Sequence, residues 1–308
     1  MEFPQIAVLG AGVIGASWAA LFAASGRQVV VADPEAEAEE KLARFVEEAA
    51  PVLRALGWEG AGDLSRIRFV TRAEEAVETA DFIQENTPER LEVKHSLFAR
   101  IAPLLKKEAT LATSSSGLKL SEMAKALPDA GGLILAHPFN PPHLIPLVEL
   151  MGTPATRAGV LEQAERFYTS LGKTCVRLNR EVTGHIANRL QAAVFREAVH
   201  LALSGVADFG EIDKAMTAGP GLRWSVMGPS TLFHLGGGAA GMAGFLQHLG
   251  DPMQSWWDDL GRPDLTPGVR AKIAEGVSAM LAGQSISDLA ATRDRAILAA
   301  LTGGRLPQ

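Results

Sequence analysis

The chain has 308 residues, of which 47% are hydrophobic and 21% charged, an ordinary globular composition whose length suggests two domains. A formal net charge of −6 gives no basic footprint for nucleic acid or an anionic membrane, and no apolar run reaches membrane-spanning length. The single cysteine, Cys175, rules out an internal disulfide and a Cys-rich metal site. It is expected to be a small buried hydrophobe in a protein of the reducing cytoplasm. The N-terminus runs straight into a predicted strand with no basic region, so no signal peptide is expected. Taken in order, strands are predicted at 6–9, 29–32, 67–70, 82–84, 110–113, 133–136, 144–148 and 175–178, with helical patterns in most gaps. Such alternation implies parallel strands with helical crossovers. After Gly184 the pattern changes: Ile186, Leu190, Val194, Ala198 and Leu201 recur at helical spacing. Thr266 and Pro267 read as an N-cap and first helical position, Gly283 ends that helix, and Ser287 starts another. The glycines at 236–238, 241 and 244 read as a loop or loosely packed turn. The fold class is therefore α/β: a Rossmann-type, mainly parallel sheet domain over residues 1–183, followed by an all-α domain over 184–308.

The first predicted strand opens onto Gly10-Ala11-Gly12-Val13-Ile14-Gly15, a G-x-G-x-x-G element before a helical pattern. Gly10 permits the tight turn, Gly12 leaves room for a pyrophosphate, and Gly15 lets the helix pack on the strand. The N–H groups of the following helix, beginning at Val13 and Ile14, would face the phosphates. The second strand ends at Asp33, at the distance where a carboxylate accepts hydrogen bonds from the adenosine ribose. Asp33 would repel a 2′-phosphate, and Pro34 and Glu35 follow it instead of a basic clamp, so the expected cofactor is NAD.

A second element reads Ala136-His137-Pro138-Phe139-Asn140-Pro141, and then Leu147-Val148-Glu149. An imidazole at a strand end suits proton transfer near neutrality, and a glutamate on a following strand could hold it. From the residues alone, His137 is as plausibly structural as catalytic. The spacing, however, resembles the L-3-hydroxyacyl-CoA dehydrogenase family, whose motif is H-x-F-N-P with a glutamate twelve residues after the histidine. The resemblance extends to a Ser-Ser pair, Ser115 and Ser116, before the histidine. It also takes in Gly184-His185-Ile186-Ala187-Asn188-Arg189, where His185 stands in place of the usual aromatic, and the E-x4-K pair Glu89 and Lys94. It implies that His137 is the base and Glu149 its orienting partner. Ser115 and Asn188 would bind the reacting oxygen, and Glu89 and Lys94 would line the nicotinamide side. Ser114 to Ser116 leave a one-residue ambiguity of register, and Asn188 could instead cap the long helix. His143 reads as a pocket wall or turn residue. His185, His200 and His234 have no metal-ligand spacing, so no metal is expected.

Within that family the chain resembles a branch acting on free acids of gulonate or carnitine type. The resemblance rests on His137-Pro-Phe-Asn-Pro-Pro-His-Leu-Ile-Pro-Leu-Val-Glu149 and on Gly219-Pro220-Gly221-Leu222-Arg223-Trp224. Arg223 is the candidate for a bidentate clamp on a substrate carboxylate. The segment after Asp33 is crowded with acids (Glu35, Glu37, Glu39, Glu40, Glu47, Glu48), a poor surface for the phosphates of CoA. Phe139, Trp224, Trp256 and Trp257 are aromatic candidates for a trimethylammonium group. The expected function is NAD-linked hydride transfer at C3 of a small free L-3-hydroxy acid. The alternatives are an L-3-hydroxyacyl-CoA dehydrogenase, a related reductase of bulkier keto acids, and an NAD-binding structural protein of the crystallin type. By resemblance the chain is expected to be a homodimer through its helical domain.

Overall fold

The computed structural model describes residues 2–303, and the chain divides into two compact units. One comprises Met1–Asn188 together with Ala290–Gln308, and the other Arg189–Leu289. The last stretch, assigned from sequence to a single helical domain over 184–308, thus clusters with the sheet unit. There it buries Leu298 and sets Asp294 and Arg293 close enough to act electrostatically on His143.

The first unit is built on an eight-stranded sheet: β1 (Gln5–Leu9), β2 (Gln28–Ala32), β3 (Ile67–Val70), β4 (Phe82–Glu85), β5 (Thr110–Thr113), β6 (Leu133–Pro138), β7 (Leu147–Gly152) and β8 (Thr174–Arg177). Its order is β3-β2-β1-β4-β5-β6-β7-β8, parallel throughout except for the antiparallel β6–β7 pair. The predicted strand 144–148 is a correction. Residues 141–144 form a turn and β7 begins only at Leu147, because Pro141, Pro142 and Pro146 remove ladder donors before it. The Asn140–Pro141 bond in that turn is cis.

Side chains alternate across the sheet. Ile6 and Val8 enter one core with Trp18, Phe22, Phe82, Phe167 and Tyr168, under α1 (Val13–Ala24), α2 (Ala38–Ala55) and a later helix, Val160–Ser170. Ala7 and Leu9 enter the other, with Val77, Leu97, Phe98, Ile101 and Met123, under the helices Ala73–Val77, Leu91–Ile101 and Leu120–Ala124. Because both faces are covered, β4, β5 and β6 are buried along their whole length. The order reverses between β1 and β4, so a crevice opens at their carboxyl ends.

The second unit is helical. Its helices include Phe209–Ala218, Pro220–Trp224, Pro229–Gly236, Gly241–Asp259 and Pro267–Leu281, and the helix Ala187–Leu203 runs into it. Thr266 caps the helix Pro267–Leu281, accepting from the Val269 N–H at 3.3 Å. That helix stops at Ala282 and Gly283, both in the left-handed region. The next helix starts at Ile286 with Ser285 as its cap, not at Ser287. The glycine-rich segment is not a loop: a 3-10 turn at Gly238–Ala240 joins two helices packed backbone to backbone. A Cβ on Gly237 would sit 1.6 Å from the Gly241 carbonyl oxygen, and one on Gly244 2.7 Å from that of Gly237. The glycines therefore serve close approach rather than flexibility, and the Phe233 and Phe245 rings stack beside them at 4.8 Å.

Candidate active site

The crevice holds the glycine turn between β1 and α1. Gly10 has φ +90°, and a Cβ there would lie 2.8 Å from the Asn86 carbonyl at the end of β4. A Cβ on Gly15 would lie 1.8 Å from the Gly10 carbonyl, so both positions require glycine for packing. Gly12 differs: nothing lies within 4 Å of its Cβ position. It is the N-cap of α1 and makes no side-chain cap, so the N–H groups of Val13 and Ile14 look out past it toward open space. A helix N-terminus with free N–H groups and room before it fits a pyrophosphate.

The cleft, about 910 Å³, is lined among others by Gly10, Gly12, Asp33, Arg72, Asn86 and Arg100. Asp33 is tied to the turn itself: Oδ2 accepts from the Ala11 N–H at 2.7 Å and Oδ1 from the Glu35 N–H at 2.9 Å. Its carboxylate thus stands beside the phosphate position at the point where a ribose would lie. The sequence shows no basic residue next to Asp33, but folding brings Arg72 from the end of β3 into the same cleft. There Arg72 faces Glu74 and Glu75 at 3.8 and 3.9 Å.

His137 and Glu149 are direct cross-strand partners in the antiparallel β6–β7 pair, so their side chains share one face. The His137 Nδ1–H donates to Glu149 Oε2 at 2.9 Å, and both residues are buried. The other carboxylate oxygen, Oε1, accepts from the N–H groups of Ile186 and Ala187 at 2.8 and 3.0 Å. Burial alone would raise the Glu149 pKa. The hydrogen bonds from His137, Ala187 and Ile186 outweigh it and hold the carboxyl below its usual range. A charged Glu149 fixes the proton of His137 on Nδ1 and leaves Nε2 as the ring's lone-pair nitrogen.

Ser115 follows β5 and is buried. Its hydroxyl donates to Glu89 Oε1 at 2.6 Å, and the same oxygen accepts from the N–H groups of Gly117 and Leu118. Ser114 is instead engaged with Gln84 and Asn86, and Ser116 is exposed, which sets Ser115 apart from its neighbours. Lys94 does not line the cleft. Its ammonium lies 2.8 Å from both oxygens of Glu85, reaches the Thr87 carbonyl at 3.2 Å, and stands 3.9 Å from Glu89. It anchors the loop after β4 from beneath. Glu85, with Thr87 and Thr113 also bonded to it, was missed from the sequence because it looks like the tail of a strand.

Asn188 is the second residue of the helix Ala187–Leu203, inside its first turn and not a cap. Its side chain makes no hydrogen bond among the described residues and is part-exposed. Arg223, on the short helix Pro220–Trp224 of the second unit, is exposed and makes no ion pair among the described residues. His143 is buried within the turn before β7, where Ser17 of α1 bonds both its Nδ1 and its backbone N–H. Burial lowers its pKa to about 4. Lys173 braces the same turn through the carbonyls of Pro142 and Ile145. Cys175 is half-buried, and burial pushes its thiol up to about 11.

A dinucleotide crevice with an oriented imidazole in the same unit defines an NAD-dependent dehydrogenase. Residues 5–182 match the NAD-binding domain of 3-hydroxyacyl-CoA dehydrogenase and residues 184–263 its C-terminal domain. The chain belongs to the 3-hydroxyacyl-CoA dehydrogenase family. It is 42% identical over 294 residues to an L-carnitine dehydrogenase of Nocardiopsis dassonvillei, covering 96% of this chain and 89% of that one. It is 42% identical over 300 residues to one of Pseudomonas aeruginosa, covering 97% and 94%. Among solved structures it resembles 5-formyl-3-hydroxy-2-methylpyridine 4-carboxylic acid 5-dehydrogenase, an NAD+ dependent dismutase. That match has a TM-score of 0.83 and 28% identity, over 98% of this chain and 99% of that one.

Proposed function

We propose that this chain oxidises a small free L-3-hydroxy acid of the carnitine type at C3. The observation that carries the reading is the buried His137–Glu149 pair, in a chain similar over nearly its whole length to L-carnitine dehydrogenases. Bound NAD supplies the hydride-accepting ring. His137 Nε2 takes the hydroxyl proton as the C3 hydride leaves, and Glu149 stabilises the imidazolium that results. Ser115, once its hydroxyl turns from Glu89, and the amide of Asn188 hold the reacting oxygen. Lys94 supports the nicotinamide side through Glu85 and Thr87. Arg223 clamps the substrate carboxylate.

Two observations favour a free acid over a CoA thioester. Arg223 pairs with no carboxylate among the described residues. Near the start of α2, Lys41 and Arg44 pair with Glu37 and Glu40 at 2.8 and 3.8 Å, which makes that end of the helix a poor surface for CoA phosphates. The proposal includes a cytoplasmic homodimer. Apolar residues exposed on the second unit, Leu222, Val226, Trp256 and Trp257, are material for its interface. No helix among the described residues is long and apolar enough to cross a membrane.

The test is NADH formation with carnitine, gulonate, 3-hydroxybutyrate and 3-hydroxybutyryl-CoA, with sedimentation alongside for the dimer. Preferred turnover of carnitine supports the reading, preference for gulonate shifts it within the free acids, and preference for the thioester overturns it. Arg223→Met should raise KM for the best acid roughly 10- to 100-fold, with NADH binding unchanged.

A further inference from the structure

His185 is where the chain departs from the aromatic residue expected at that position, and the structure gives it contacts that no aromatic hydrocarbon ring could make. It follows Gly184 in a turn where both residues are left-handed, at φ +76° and +50°, and its N–H closes that turn onto the Val182 carbonyl at 3.2 Å. Histidine is among the side chains that tolerate this region. The turn aims the imidazole inward, to 3% exposure. Nε2 lies 3.0 Å from the Ser115 carbonyl oxygen, and the ring centroid lies 5.0 Å from that of His137.

A carbonyl oxygen only accepts, so Nε2 must carry a proton. In the neutral ring Nδ1 is then a bare lone pair, and it is fully buried with no partner. A second proton would be a buried N–H with nothing to receive it, beside the imidazolium that His137 forms in turnover. Burial, and His137 itself, lower the His185 pKa against the pull of Ser115, Glu149 and Glu89. Of two neighbouring imidazoles, therefore, only His137 is available to exchange a proton.

The same turn also supplies the Ile186 and Ala187 N–H groups that hold Glu149, and Asn188 comes next in the chain. We propose that His185 is a positioning residue: a neutral imidazole strut that fixes the Ser115 segment to the turn holding Glu149, and so sets Ser115 against His137. The idea rests on the reading of Ser115 and His137 as the residues at the reacting oxygen.

His185→Phe keeps a ring of similar size and removes the donor. His185→Gln keeps an N–H close to the position of Nε2. For the acid that the wild type prefers, His185→Phe should lower kcat roughly 10- to 100-fold, since a displacement near 1 Å costs about that much, while NADH affinity holds. His185→Gln should restore kcat to within about 5-fold of wild type. Full kcat in His185→Phe, or equal losses in both variants, overturns the strut. Nitrogen NMR of the imidazoles needs no substrate and separates this idea from the function reading. At pH 7.5 His185 should be neutral and protonated on Nε2, and an imidazolium or the other tautomer overturns it. A wild type inactive on every acid while that NMR result stands refutes the substrate assignment and leaves the strut supported.

Discussion

Replacing Glu149 by glutamine is the sharpest probe of the site, because hydrogen-bond geometry dictates how the new amide must sit. In the native protein Oε1 receives the N–H groups of Ile186 and Ala187, and Oε2 receives the His137 Nδ1–H. Glutamine has one carbonyl oxygen and one NH2 group. If the oxygen serves the two backbone donors, the NH2 faces His137 Nδ1 and forces the ring proton onto Nε2, where it blocks proton acceptance. The opposite orientation leaves two part-buried donors unsatisfied, at up to about 1–3 kcal/mol each, so the first orientation wins. A wrong tautomer in a comparable histidine–carboxylate pair costs about 10,000-fold. Losing only a charge-assisted hydrogen bond, about 1.5–3 kcal/mol, would cost roughly 10- to 150-fold. Glu149→Gln should therefore lower kcat by about 100- to 10,000-fold. NADH affinity, read by fluorescence titration, should be unchanged, and Tm should stay within about 3 °C. Glu149→Ala should add a stability loss of several degrees by orphaning the Ile186 and Ala187 N–H groups. A Glu149→Gln enzyme that keeps more than about a hundredth of wild-type kcat would refute the tautomer argument.

Three further tests follow from the geometry. Gly12→Val should fold with near-normal Tm, since nothing occupies its Cβ direction, yet lose NADH binding; Gly15→Ala should fold poorly, because its Cβ meets the Gly10 carbonyl at 1.8 Å. Thermal melts and NADH titrations on both decide this, and tight NADH binding by Gly12→Val would remove the phosphate role of that turn. Asp33→Ala should narrow the preference for NAD over NADP, by removing the repulsion of a 2′-phosphate in a cleft that already contains Arg72; an unchanged ratio of kcat/KM values would count against it. Burial takes the pKa of His143 from 6.5 to about 4, so the folded state refuses a proton that the unfolded chain accepts. Stability should fall as pH drops from about 6.5 to about 4, by roughly 3 kcal/mol in total, and level off below. Urea unfolding across that range should show a shallower pH slope in His143→Asn, and an identical slope would show that His143 is not the group responsible.

The sequence by itself determined what depends on local chemistry. The glycine turn, the strand before it and Asp33 after it fixed the cofactor crevice, since turn geometry, alternation and helix-end donors are all set within about thirty residues. The spacing of His137 and Glu149 named a pair, but the pair becomes a site only through an antiparallel register. That register was obscured in the sequence, where apolar residues from Leu144 onward look like a strand and three prolines delay it to Leu147. Tertiary structure alone decided which long-range donors each polar group meets. It delivered Arg72 into the cleft that Asp33 lines, buried Lys94 on Glu85 instead of leaving it in the cleft, tied Ser17 to His143, and returned the segment from Ala290 to the sheet unit. The glycines after Gly236 read as a loop because composition records flexibility and not the neighbouring helix backbone they were small enough to admit. His185 shows the limit most plainly. As a letter in the chain it is only a missing aromatic, and its meaning rests on a carbonyl 70 positions away and an imidazole on strand β6. Packing creates such contacts, and no pattern of local spacing encodes them.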